Sequence, residues 1–285
     1  MIYIFYTILG CFICAIAQVA GTAATRDLHP VKVCFFRFGL AAPMCYVLSV
    51  AMTGDAVPDL TLRQYSMTAL VGLISWVVGA IIFFTAMNKG GMHRVAPVSN
   101  SIGIWTVLLS VIFLGEKFLP MFIPVIILLG IGVACMGPAP KNGAHNWRPA
   151  IPAALLVSIL WAVGIIITKI AVAGVPYATF VFIKLTAAAV ALGAMYPFVG
   201  GKVTRKTFLI CLLSATTLVF GDTLLMAGLD GLPASVWAPL FATTIPFGFV
   251  LSIIFLKENP LRRNWLGMIF IFAAAAICGY IAAAG

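Results

Sequence analysis

Charge is what this chain has least of. Asp and Glu together number 7 in 285 residues, and only 8% of the chain is charged, where a soluble domain carries roughly a quarter. So few charges cannot cover a water-facing surface, and 63% of the residues are hydrophobic. The solvent for most of this chain is lipid. A disulfide or metal framework is missing too. Cys11, Cys14, Cys34, Cys45, Cys135, Cys211 and Cys278 all lie in apolar runs. Cys11 and Cys14 form a C-x-x-C one helical turn apart, where they pack as small hydrophobes rather than bind metal. No H-E-x-x-H or G-x-S-x-G occurs, and His29, His93 and His145 lie near loops, which disfavours an intramembrane enzyme. No cofactor is expected. Nor is there a basic run. The net charge of +10 is scattered singly between apolar segments, which suits topology signals and lipid headgroups and speaks against nucleic acid.

What is present is a series of apolar segments, each long enough to cross a bilayer with about 20 residues. Cutting at charges, Pro and Gly gives ten: 2–25, 31–53, 65–87, 94–114, 118–139, 149–173, 175–199, 207–229, 232–255 and 263–284. The first is too long for a signal-peptide core and reads as a retained helix. The longest polar connection, "PKNGAHNWRP" at 140–149, falls at the midpoint. Loops after the odd-numbered spans hold Arg26, Lys32, Lys89, Arg94, Lys141, Arg148, Lys202, Arg205, Lys206, Lys257, Arg262 and Arg263; the other side holds Arg63 and Lys117. By the positive-inside rule the odd loops are cytoplasmic and both termini lie outside the cytoplasmic membrane.

The chain also writes one phrase twice. "SVIFLGEK" at 110–117 returns as "SIIFLKEN" at 252–259, an offset of 142 that also pairs Val77 with Val219, Gly79 with Gly221, Ala96–Pro97 with Ala238–Pro239 and Gly137 with Gly279. Upstream the register slips, and "HPVKVCFFRF" (29–38) answers "VPYATFVFIKL" (175–185), with Arg37 opposite Lys184. The expected fold is therefore all-α, with ten transmembrane helices in two five-helix repeats, 1–140 and 149–285, joined by a cytoplasmic loop at 141–148. Five is odd, so the second repeat enters the membrane inverted relative to the first. Inverted repeats allow two conformations in which the halves exchange roles, and a site between them then faces each side of the membrane in turn.

Ten short-looped spans in two homologous halves resemble the drug/metabolite transporter superfamily, specifically its EamA-type members. The resemblance rests on "HPVKVCFFRF", on "APVSNSIGIWTVLLSVIFLGEK" with its echo "APLFATTIPFGFVLSIIFLKEN", and on "LWAVG" at 160–164. It implies a central cavity lined by spans 1, 3, 4, 6, 8 and 9, with spans 5 and 10 peripheral. It also implies a substrate among amino acids, nucleotide or sugar derivatives and other small metabolites, often moved outward. Span 1 departs from the small multidrug-resistance relatives: it carries Gln18 where they use an acidic residue for proton exchange.

Ionisable groups inside lipid are expensive and mark function first. Asp222, in "VFGDTLL", is the one carboxylate clearly inside a span, and Lys184 reaches a similar depth from the same side. The two fit an ion pair across the cavity, either a proton-coupling or amine-binding site or a structural salt bridge. Arg37 reads as a topology or gate residue ahead of an anion site. Glu116 and Glu258 close the repeated phrase at helix C-termini, where the dipole disfavours them. They are expected to pair with Lys117 and Lys257 or to latch the opposite half as gates. Candidate substrate contacts are Trp76, Phe83 and Phe84 in span 3, Ser99, Asn100 and Trp105 in span 4, Trp161 in span 6, and Phe241, Thr243 and Thr244 in span 9. Trp237 reads equally as an interfacial anchor. Pro97, Pro239 and Pro246 remove backbone donors and suit hinges. The small-residue runs at 128–137 and 272–279 either pack the halves together or build a homodimer. The expected activity is secondary transport of a small polar metabolite, an amino acid first, by alternating access, outward and linked to protons. Drug or organic-cation efflux and nucleotide- or sugar-derivative carriage are the alternatives within the fold.

Overall fold

Inside a bilayer every backbone N–H and C=O must find its partner within the protein, and a helix achieves this one segment at a time. The computed structural model describes residues 1–55, 59–90, 92–99, 101–136, 150–171, 173–257 and 261–284. Among the described residues the regular structure is helical, with no strand. Eight helical segments of 22 to 29 residues are long and apolar enough to cross a membrane. They are span 1 (Ile2–Ala24), span 2 (Pro30–Thr53), span 3 (Leu62–Gly90), span 6 (Ala150–Ala171), span 7 (Tyr177–Phe198), span 8 (Arg205–Gly231), span 9 (Ala234–Leu256) and span 10 (Arg262–Ala283). Span 4 is split into Met92–Ser99 and Ile102–Phe113, and span 5 is Phe122–Met136. The expected connecting loop at 141–148 lies outside the described residues.

Tight connections are written into the span ends. Thr61 and Thr204 open spans 3 and 8 with capping boxes, each hydroxyl accepting from the backbone N–H three residues on. His29 accepts from the Val31 N–H through Nδ1 at 3.3 Å, just ahead of Pro30. These side chains satisfy donors that the first helical turn would otherwise leave bare.

The repeated phrase now has a physical reading. Ser110 and Ser252 are fully buried and turn their hydroxyls back on the carbonyls of Val107 and Phe249, at 3.0 and 2.9 Å. Ile112 and Phe113, like Ile254 and Phe255, are more than 60% exposed, as suits side chains facing lipid. Then each helix ends on a left-handed residue, Gly115 at φ 67° and Lys257 at φ 55°. A left-handed turn ends the helix abruptly and re-aims the chain. In both repeats the next residue is a glutamate.

The packing obeys the duplication. Spans 1 and 8 lie along each other, as do spans 3 and 6; spans 2 and 7 pair, spans 5 and 10 pair, and span 4 crosses span 9. Exchanging the first five spans for the last five swaps the first two pairings with each other and maps the remaining three onto themselves. Since each half crosses the membrane an odd number of times, the exchange is a rotation about an axis in the membrane plane. Spans 5 and 10 meet away from the centre, backbone to backbone. A Cβ added at Gly132 would lie 3.0 Å from the Gly267 carbonyl, and one at Gly267 would lie 2.7 Å from that of Gly132. Asn264, 1% exposed, donates from Nδ2 to the carbonyls of Cys135 and Met136 at 3.3 and 3.1 Å, closing the end of span 5. The run at 128–137 thus meets the other half of the chain at Gly132.

Both broken helices break at equivalent places. Span 4 is interrupted at Ser101, four residues beyond Pro97, and span 9 at 242–243, three or four residues beyond Pro239. Ser101 and Thr243 are equivalent under the offset, and each donates its hydroxyl to the carbonyl three residues back, Val98 at 2.7 Å and Leu240 at 2.8 Å. Hydroxyls thus occupy carbonyls that the interruption frees, at a depth where water is scarce.

Candidate functional site

Where the halves face each other there is a cavity of about 110 Å³. Among the described residues, spans 1 to 4 and 6 to 9 contribute to its wall, and spans 5 and 10 do not. Every lining residue is buried or half-buried. The aromatic part is made by Trp76, Phe83 and Phe84 of span 3, Trp161 of span 6, and Trp237 and Phe241 of span 9. Polar groups come from Gln18, Arg37, Ser75, Thr168, Lys184 and Asp222.

Span 3 brings its share by changing helix type. Gly72–Gly79 is a π-helix, flanked on both sides by α-helix. The wider turn frees local backbone groups, and the Ser75 carbonyl accepts the indole N–H of Trp161 at 2.9 Å. Such π segments recur at functional sites. The ring of Phe83 lies 5.0 Å from that of Trp161, and the ring of Trp76 lies 5.3 Å from Phe38 across a T-shaped contact. On the opposite wall Trp237 stacks on Phe241, ring centroids 5.2 Å apart and planes 14° from parallel. Trp237 is 2% exposed and donates to the Leu225 carbonyl at 3.1 Å. It is a wall of the cavity and not an interfacial anchor.

Two charged groups pair at one end. Lys184 Nζ sits 2.6 Å from Asp222 Oδ2, with both side chains at most 4% exposed. The same ammonium lies 5.0 Å from the Trp76 ring and 5.3 Å from Phe180. A desolvated pair held in this way is strongly oriented, because each partner is the other's chief compensation for lost water. Arg37 is 4% exposed and faces rings: its guanidinium carbon lies 5.3 Å from Phe84 and 5.7 Å from Phe38. Among the described residues its Nε has no hydrogen-bond partner.

The remaining sequence candidates fall elsewhere. Thr243 and Thr244 spend their hydroxyls on the carbonyls of Leu240 and Phe241, at 2.8 Å each, at the interruption of span 9. Ser99 is fully buried, and Trp105 is half-buried outside the cavity wall. Asn100 and Glu258 lie outside the described residues, as does the side chain of Pro97. Pro239 is buried inside the first helix of span 9, and Pro246 sits in the first turn of the second, where a missing N–H costs nothing. Glu116 reaches across to the other half. Its Oε1 and Oε2 accept from the backbone N–H groups of Ala234 and Ser235, at 2.7 and 2.9 Å, at the start of span 9. The unfavourable end of its own helix is exchanged for the favourable end of another. Residue typing missed Cys14, Ser75 and Thr168 in the wall, since small residues in an apolar run carry no signal of the direction they face.

A cavity enclosed by two repeated halves of membrane-spanning helices defines the class, an integral membrane transporter. The family model of the EamA-like transporter family matches residues 1–137 and again residues 148–280. The chain belongs to that family, a membrane transporter of the drug/metabolite superfamily. A solved structure described as "Crystal structure of protein" superposes with a TM-score of 0.75 over 97% of this chain and 97% of its own, at 15% sequence identity, and so shares the fold. None of the curated proteins compared matches the chain.

Proposed function

We propose that this protein is a secondary active transporter of a small zwitterionic metabolite, an amino acid first, working by alternating access in the cytoplasmic membrane. One observation carries the reading: a cavity walled by aromatic rings that holds one acid, one base paired to it, and one further guanidinium. Aromatic faces accept an apolar side chain, and the charged groups accept an ammonium and a carboxylate. Twelve loop cations against two support cytoplasmic odd-numbered loops and extracytoplasmic termini. Asp222 is the coupling residue: protonation releases Lys184 and neutralises the carboxylate, so an inward proton can be traded for outward substrate. A monomer suffices, since one chain encloses the cavity.

Counterflow in proteoliposomes against amino acids, nucleotides and organic cations tests the reading. Exchange of amino acids, accelerated by an opposing proton gradient, is expected. Exchange of permanent cations alone overturns it in favour of drug efflux. Asp222→Asn is expected to abolish the pH dependence of exchange, and an unchanged rate and pH profile removes the coupling role.

A further inference from the structure

The exchange that maps one half onto the other is broken at the cavity's charges. Arg37 and Lys184 are equivalent positions: each lies seven residues past the first residue of its helix, Pro30 in span 2 and Tyr177 in span 7. The two helices enter from opposite faces, which puts each cation roughly 10 Å deep from its own side. Lys184 has a counter-ion in Asp222. By the offset of 142, the residue that stands to Arg37 as Asp222 stands to Lys184 is Ala80, a methyl group in the same cavity wall. Arg37 therefore keeps a buried guanidinium, one edge of which has no hydrogen-bond partner, and among the described residues no carboxylate pairs with it.

A guanidinium cannot escape burial by losing its proton, and it offers five donors in a flat fork that matches a carboxylate. With Lys184 and Asp222 cancelling, the cavity wall carries one uncompensated positive charge. The rings of Phe84 and Phe38 flank that charge and restrict its plane without supplying an acceptor. We infer that the missing carboxylate is the substrate's: Arg37 is the anion anchor of the cavity, and Ala80 is small and neutral so that the place is left for the ligand. This deepens the proposed function and rests on that reading only in taking the cavity as the substrate site.

The test uses the whole chain in nanodiscs and three related probes: leucine, its deaminated analogue 4-methylpentanoate and its decarboxylated analogue 3-methylbutylamine. Trp76, Trp161 and Trp237 line the cavity and report binding by fluorescence. Wild type is expected to respond saturably to leucine and to 4-methylpentanoate, and far more weakly to the amine, whose ammonium meets an Asp222 already paired with Lys184. Arg37→Gln should weaken both carboxylates roughly tenfold or more, with Arg37→Lys intermediate. Ala80→Asp keeps the arginine and gives it an internal partner, so it should block carboxylates as strongly, and it decides the matter if Arg37→Gln does not fold. An amine bound as well as the carboxylates, no saturable carboxylate response, or carboxylate affinity unchanged in Ala80→Asp overturns the anchor. Leucine counterflow that survives Arg37→Gln overturns the anchor and leaves the amino-acid reading standing. Arginine-dependent binding of 4-methylpentanoate without leucine transport does the reverse.

Discussion

Lys184 and Asp222 together take two full charges out of water, and each is tolerable only beside the other. Removing one partner of such a buried pair leaves an uncompensated ion and costs about 3–5 kcal/mol, whereas replacing both with apolar groups of similar size is often neutral. Asp222→Leu alone should therefore depress thermal stability strongly. Adding Lys184→Met should recover most of it, as read by thermal unfolding in detergent. If the double variant is stable but exchanges no substrate, the pair serves transport as well as folding. If it is stable and fully active, the pair is structural and the coupling role falls. Lys257 is a smaller case. It holds φ 55° where its repeat partner is Gly115 at φ 67°. Left-handed backbone costs a side-chain-bearing residue roughly 1 kcal/mol, so Lys257→Gly is expected to raise the unfolding temperature slightly, and a fall would show that the lysine side chain has a partner worth more than the strain.

Helices in this molecule are joined across the repeat by their ends and by their bare backbone faces. The Glu116 carboxylate caps the first helix of span 9 in the other half. Helix caps of this kind contribute about 1–2 kcal/mol. Glu116→Ala should speed amide hydrogen exchange at Ala234 and Ser235 by roughly 5- to 30-fold, with Glu116→Gln in between; unchanged exchange would mean the latch carries no load. Spans 5 and 10 meet at Gly132 and Gly267, where the space is too small for a side chain. Gly132→Leu is expected to cost about 1–3 kcal/mol of stability by forcing these helices apart. Ligand response in the cavity should persist, because neither span lines it.

Across the whole molecule, the two faces are held by different contacts between the halves. On the side of the termini Glu116 grips span 9; on the other, Arg26 donates to the Leu256 carbonyl at 3.3 Å and Lys32 to that of Gly201 at 2.8 Å. If the halves trade shapes, opening one face must close the other, because cores repack between discrete states and do not stretch. Spin-label distances across the two faces should then move in opposite directions when substrate is added. Distances that change together, or not at all, would describe a channel or a rigid binder. The asymmetry of the present state is visible in spans 3 and 8, equivalent by sequence, of which only span 3 contains a π segment while span 8 is α-helical from Arg205 to Gly231.

Much of this is legible in the amino-acid sequence alone. Hydropathy and loop charge accumulate along the chain locally, so the lipid solvent, the ten crossings and the inversion of the halves are implied there, as is the depth that brings Asp222 level with Lys184. Contacts between distant segments are not local. The prolines point to hinges in spans 4 and 9, but the interruptions fall beyond Pro97 and Pro239, at Ser101 and Thr243, where hydroxyls are available to hold the freed carbonyls. Glu116 reads as a gate latch or a partner for a neighbouring lysine, and only the approach of span 9 shows that it accepts from two backbone amides. Arg37 reads as a topology or gate cation near a helix end. The offset alone sets Ala80 opposite Asp222, but Arg37's burial beside Phe84, in the same cavity wall as Ala80, emerges only once the halves are assembled, because a charge's partner is decided by what packs against it and not by what precedes it.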